Sequence, residues 1–154
     1  MADPPGALVV VTTPLAPVDR LPSTLPTIHL SEDEKHERYG IPHRELPRHA
    51  KNSLQAFQSW STAPINLERG QEYAAPVQTT SIEKSLEVIR AYLGWCCLKQ
   101  GVSVRDVDIH LYADVHKFAT FIGYLIARGV GNGQLAKQIA VAKKVGVRAP
   151  TGGS

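Results

Sequence analysis

Six histidines, two cysteines and fourteen carboxylates are the residues of this 154-residue chain that could carry acid–base, thiol or metal chemistry. Their spacing assigns them little of it. His29, His36, His43, His49, His110 and His116 are scattered, and His36, His43 and His49 lie at spacings of seven and six in a polar region near Glu32, Asp33 and Glu37. A zinc site shows tighter ligand pairs or nearby cysteines, so no metal and no cofactor is expected. Cys96 and Cys97 are adjacent, which on a helix turns them about 100° apart and unsuits them for bridging each other. They read as core packing. Asp106 and Asp108 share a loop without an acid or base partner at a useful spacing. An enzyme needs an oriented set of such groups, and none is expected here.

Phosphate chemistry leaves one stronger signal. No GxGxxG or GxxxxGK[ST] loop is present, and Gly129-Val130-Gly131-Asn132-Gly133 follows a helical pattern rather than a strand, so it reads as a corner between helices. From Thr79 to Ala127 five basic residues (Lys84, Arg90, Lys99, Arg105, Lys117) balance five acidic ones. From Arg128 to Ser154 there are five basic residues (Arg128, Lys137, Lys143, Lys144, Arg148) and no acid. Such a stretch can neutralise phosphates, with Gln138 able to reach a phosphate or base edge. Arg90, Arg48 and Lys51 extend this surface if their helices cross the last one.

The elements that must position these residues are helical. Thr80 to Lys99 carries apolar residues at Ile82, Leu86, Ile89, Leu93, Cys96 and Cys97, the spacing of one helix face. Thr80 and Glu83 form a candidate capping box, and Gly101 is a left-handed stop. Gly94, inside this helix, costs about 1 kcal/mol relative to alanine and predicts a close helix crossing. Asp114 caps a helix over 115–127 with Val115, Phe118, Phe121, Ile122, Leu125 and Ile126 on its apolar face, and Gly129 ends it. Asn132 caps a last helix striped by Leu135, Ile139, Ala142 and Val145 and ended by Gly146, with Lys137 and Lys144 pointing away beside Val141. The residues from 101 to 114 read as a linker pinned to the core. A further helix spans Leu46 to Trp60, with Ala50, Leu54, Phe57 and Trp60 apolar. Ser61 to Pro76 is a polar tether with room for a helical turn around Leu67.

The fold class is therefore all-α: a small orthogonal bundle of three to five helices behind a disordered proline-rich arm. Its divisions are a flexible arm (1–45), a helix plus linker (46–78), a helical domain (79–146) and a flexible tail (147–154). In the arm, Leu8 to Thr12 reads as an apolar patch, and Ser31 to Tyr39 as a solvated charge run despite its helix-cap pattern. The net charge of +3 is mildly basic. No apolar run is long enough to span a membrane, no secretory signal pattern opens the chain, and two cysteines suit a reducing compartment, cytoplasm or nucleus.

Three stretches, Ser85-Leu86 with Ile89 to Trp95, Phe118 to Gly129, and Ile139 to Val145, resemble together the N-terminal core-binding domain of tyrosine recombinases, or phage integrases, in forms found in mobile elements. In that family a SAM-like bundle of short helices makes one half of a clamp around duplex DNA. A separate C-terminal domain cuts and rejoins strands through a tyrosine assisted by arginines and a histidine. The resemblance implies DNA-facing positions at Lys84, Arg90, Lys137, Lys143 and Lys144, to which the basic stretch adds Arg128, Gln138 and Arg148. The catalytic half does not carry over. None of Tyr39, Tyr73, Tyr92, Tyr112 or Tyr124 follows the required arginine–histidine arrangement, and the residues after Val145 are far fewer than a catalytic domain. The expected function is non-catalytic binding of duplex DNA, with self-association on DNA allowed, by a recombinase-like fragment of DNA-integration machinery or a domain reused for binding. The alternative is a helical protein-interaction module anchored by Trp60, Trp95 or Phe121.

Overall fold

Five α-helices and three 3-10 turns, with no strand, account for the regular structure of residues 24–64 and 76–148, which the computed structural model describes. The helices are α1 (Glu32–Lys35), α2 (Arg48–Thr62), α3 (Thr79–Lys99), α4 (Val115–Ala127) and α5 (Asn132–Arg148). The turns lie at His43–Glu45, Val104–Asp106 and Ile109–Ala113. The apolar patch at 8–12, the possible turn around Leu67 and the tail beyond 148 lie outside the described residues.

α3 is the central element. It contacts α2, α4, α5 and the 109–113 turn, so it is buried on more than the single stripe its periodicity predicts. Val88, Tyr92 and Trp95 are buried along with Ile82, Ile89, Leu93 and Cys96. Tyr92 anchors an aromatic core, its ring centroid 4.5 Å from Tyr112, 5.2 Å from Phe121 and 5.4 Å from Phe118. Its hydroxyl donates to the Leu111 carbonyl at 2.9 Å, which pins the 101–114 connection as expected, although that connection is built of 3-10 turns. Burial of each such ring contributes roughly 1.5–3 kcal/mol. Burial also raises the Tyr92 hydroxyl far above its ordinary pKa and pushes the Cys96 thiol up to about 12, consistent with core packing rather than thiol reactivity.

The capping box expected at Thr80 and Glu83 does not form. α3 begins two residues earlier than that cap would set, at Thr79, behind an extended Gln78 that makes no side-chain cap. The start is set from outside the helix: the Val77 amide donates to the Ser61 carbonyl at 2.8 Å, tying the end of α2 to the residue before the α3 cap. The stop is as expected, with Gly101 at φ +71°, a conformation that costs glycine no Cβ clash. Asp114 caps α4 by accepting from the Lys117 amide at 3.0 Å.

Residues 24–45 overturn the expectation of a flexible arm. Ser31 and Glu34 close a reciprocal capping box (3.0 and 3.1 Å) around α1, which is a formed turn rather than a solvated charge run. Leu25, Ile28, Leu30 and Tyr39 pack on the core, and Ile41 and Leu46 are buried in it. This strap meets backbone directly. A methyl group built on Gly94 would lie 2.5 Å from the Ile41 nitrogen and 2.6 Å from the Gly40 carbonyl carbon, and would collide with the Tyr39 carbonyl oxygen. Gly94 thus does mark a close approach, but of an extended segment and not of another helix. The Ile41 amide donates to the Arg90 carbonyl at 3.3 Å in the same contact. On α4, a methyl on Gly123 would lie 2.6 Å from the Pro26 carbonyl oxygen.

α2 runs over Arg48–Thr62 and is docked, burying Ala50, Leu54 and Phe57. α5 departs from its predicted form at both ends and in its face. Asn132 is its first residue rather than its cap, and the helix continues through Gly146 to Arg148, so the predicted division between 146 and 147 falls within a helix. Gln138, Val141, Ala142 and Val145 are buried, whereas Leu135 and Ile139 are only partly so. The helix is therefore rolled towards Gln138 and Val141, because it is contacted by α2, α3, α4 and the 109–113 turn together.

Overpacking at a backbone contact typically costs 1–3 kcal/mol. Gly94→Ala is expected to lose at least about 2 kcal/mol by denaturant unfolding. Gly133→Ala, which meets nothing within 4 Å on α5, is expected to gain about 0.5–1 kcal/mol from helix propensity. Equal effects at the two sites would contradict the strap contact.

Candidate functional site

The predicted site residues separate into three groups. Lys84 and Lys137 come together with Gln138. On α3, Lys84, Glu87, Val88 and Ala91 stand at i, i+3, i+4 and i+7, one stripe of a helix. On α5, Gln134, Lys137 and Gln138 stand at i, i+3 and i+4. The two stripes face each other across an open cleft of about 280 Å³. Lys84 and Lys137 are exposed, and neither forms an ion pair among the described residues. Two ammonium groups against the single carboxylate of Glu87 leave the cleft net positive.

Gln138 is the unusual member of this group. It is 7% exposed, and its buried Oε1 has no hydrogen-bond partner. An unpaired buried carbonyl oxygen costs about 1–3 kcal/mol. The periodicity of α5 places Gln138 near the apolar stripe, and the rolled helix buries it outright. Glu87, Val88, Ala91 and Gln134 complete the lining. The i, i+3, i+4 register from Lys84 and from Lys137 contains the signal, but which registers face each other is a tertiary fact.

Arg128 forms the second group by itself. Its Nη1 donates to the Glu34 carbonyl (2.9 Å), the Glu37 carbonyl (2.9 Å) and the Tyr124 hydroxyl (3.0 Å). The guanidinium lies 5.0 Å from the Tyr39 ring centroid and 5.5 Å from that of Tyr124. It therefore clasps the strap to α4 and stands apart from the cleft. Lys99 reinforces the clasp from α3, with Nζ 2.8 Å from Glu37 Oε1 and 3.4 Å from Glu34 Oε2. The Ser31 amide first, and Lys99 next, hold Glu34 below its ordinary value of 4.5. A lowered folded pKa stabilises above the unfolded value and is lost as pH falls through the folded one, so the clasp weakens on acidification.

The remaining candidates lie outside the cleft lining. Arg90 is half-buried on the turn of α3 whose carbonyl receives the strap. Lys144 turns towards α2, its Nζ 5.9 Å from the Phe57 ring centroid, and Lys143 is half-buried. The Arg148 side chain lies outside the described ones. Of the interaction anchors, Trp95 and Phe121 are 1% and 0% exposed and belong to the core. Trp60 is half-buried against Phe57. Among the described residues no group of three or more His, Cys, Asp or Glu is placed to hold a metal ion, and no helix is long and apolar enough to cross a membrane.

Compared with protein-family models, with curated proteins and with solved structures, the chain matches none.

The division of the basic residues has a measurable consequence. Arg128→Ala removes charge-assisted bonds to two strap carbonyls and is expected to cost about 2–4 kcal/mol. Lys84→Ala and Lys137→Ala, at exposed unpaired positions, are expected to stay within about 0.5 kcal/mol of wild type. Denaturant midpoints read both. In the wild-type chain, proteolysis within 31–45 should speed up as pH falls below the ordinary carboxylate value of 4.5 when followed with an acid-active protease.

Proposed function

We propose that this chain binds duplex DNA through the α3–α5 face without strand transfer, as an orthogonal, SAM-like half-clamp of the kind found in tyrosine recombinases. The observation that carries the reading is the pairing of Lys84 with Lys137 across one net-positive cleft. Both residues are exposed and free of ion pairs among the described residues. The face also includes α5, which has no acidic residue along its length. A concave surface of net positive charge attracts a polyanion. Of the five positions that the resemblance to the core-binding domain implies, Lys84 and Lys137 line this cleft, and Arg90, Lys143 and Lys144 do not. No nucleophilic tyrosine enters the proposal: Tyr92, Tyr112 and Tyr124 are buried.

A fluorescence-polarisation titration of a labelled duplex, repeated across salt concentrations, tests this reading. Affinity should fall with salt at a slope of roughly 0.9 per phosphate neutralised, and the Lys84→Ala/Lys137→Ala double variant should flatten that slope by about 2. Absence of binding at low salt, or a slope that ignores the double substitution, overturns it.

A further inference from the structure

We infer that Glu87 reads the amino group of a paired cytosine in the major groove when duplex DNA lies on the α3–α5 cleft. The inference rests on the DNA-binding reading and names the residue that gives this face a sequence preference. Lys84 and Lys137 gain from any phosphate, whatever base stands beside it. Glu87 does not. It lines the same cleft, is exposed like the two lysines, and forms no ion pair among the described residues. A carboxylate brought against phosphates is repelled, and only a proton donor on the DNA offsets that repulsion. The ionised phosphodiester backbone carries none. Base edges do.

Helical geometry sets Glu87 on the side where a base edge would lie. Residues advance by about 100° around a helix, so Val88 lies about 40° to one side of Lys84 and Glu87 about 60° to the other. Val88 is buried and Glu87 is exposed, which makes Glu87 the outer edge of the α3 stripe. α5 repeats the pattern, with Gln138 buried, Gln134 next and Lys137 outermost. The two stripes enclose an open concavity, and the convex part of a duplex that suits it is a sugar–phosphate ridge. With the ridge between the two walls, Lys84 lies against phosphate and the outer edge of α3 overhangs the adjoining groove. The major groove presents amino hydrogens of cytosine and adenine even when both are paired. Adenine sets its N7 acceptor beside the amino group, which suits a glutamine amide and repels a carboxylate. Cytosine N4 donates without that neighbour on its own ring, and is the established partner of glutamate.

Two labelled duplexes test this by fluorescence polarisation at low salt: a C·G-rich sequence, and the same sequence with every cytosine methylated at N4. Within a Watson–Crick pair the methyl group takes the place of the N4 hydrogen that faces the major groove, while length, charge and pairing are kept. The wild-type chain should bind the unmodified duplex about tenfold tighter, the discrimination expected of one well-made base contact. Glu87→Ala should bind the two duplexes alike, with an unchanged thermal midpoint because the residue is exposed. Equal affinity of the wild-type chain for both duplexes, with salt sensitivity intact, overturns the inference and leaves the DNA-binding reading standing. Glu87→Ala would then tighten both duplexes equally, as removal of a merely repulsive charge does. A preference for the unmodified duplex that survives Glu87→Ala belongs to another residue and also overturns it. Failure of both duplexes to bind at low salt overturns both readings together.

Discussion

A backbone segment lies against a helix at Gly94 so closely that no side chain fits between them, and much of the molecule follows from that contact. The strap carbonyls and amides at Tyr39 to Ile41 occupy the space a Cβ would take, and the Ile41 amide is satisfied by the Arg90 carbonyl. A second approach at Gly123 seats Pro26 on α4. Between these two points the strap delivers Leu30, Tyr39 and Ile41 to the core. A glycine inside a helix is unfavourable by local propensity, and here it is offset by packing that alanine would obstruct.

That arrangement divides the positive charge. Arg128 and Lys99 are drawn to the strap, where backbone carbonyls and the carboxylates of Glu34 and Glu37 satisfy them. Exposed ion pairs contribute little individually, but a guanidinium bridging two carbonyls and two aromatic rings orders several groups at once. The cleft keeps Lys84 and Lys137, whose nearest partners in sequence do not reach them as ion pairs. The positive charge is therefore split between a surface compensated internally and one whose lysines form no ion pair among the described residues.

The cleft also shows how a helix rolled by its neighbours creates a polar site inside an apolar contact. α5 offers two candidate faces, one centred on Leu135 and Ile139 and the other on Val141 and Val145. Contact with α2, α3 and α4 selects the second, and Gln138 is carried inward with it. An apolar residue there would pack without an unpaired oxygen.

The sequence by itself determined the all-α class, the approximate spans of α2 to α5, the Asp114 cap, the Gly101 turn and the burial of Cys96. Each depends on neighbours within a few residues, where periodicity, capping oxygens and the freedom of glycine act directly. The structure alone decided that the strap is ordered, since its apolar residues are too sparse to signal a core until α3 and α4 offer glycines to receive it. It alone decided that Arg128 is a clasp rather than a neighbour of Lys137, because Glu34 and Glu37 lie more than ninety positions away in the chain. It also set the roll of α5, and with it the meeting of Lys84, Lys137 and Gln138. Helical periodicity gives every residue an angle about its own axis, and only the contacts between helices give those angles a common origin.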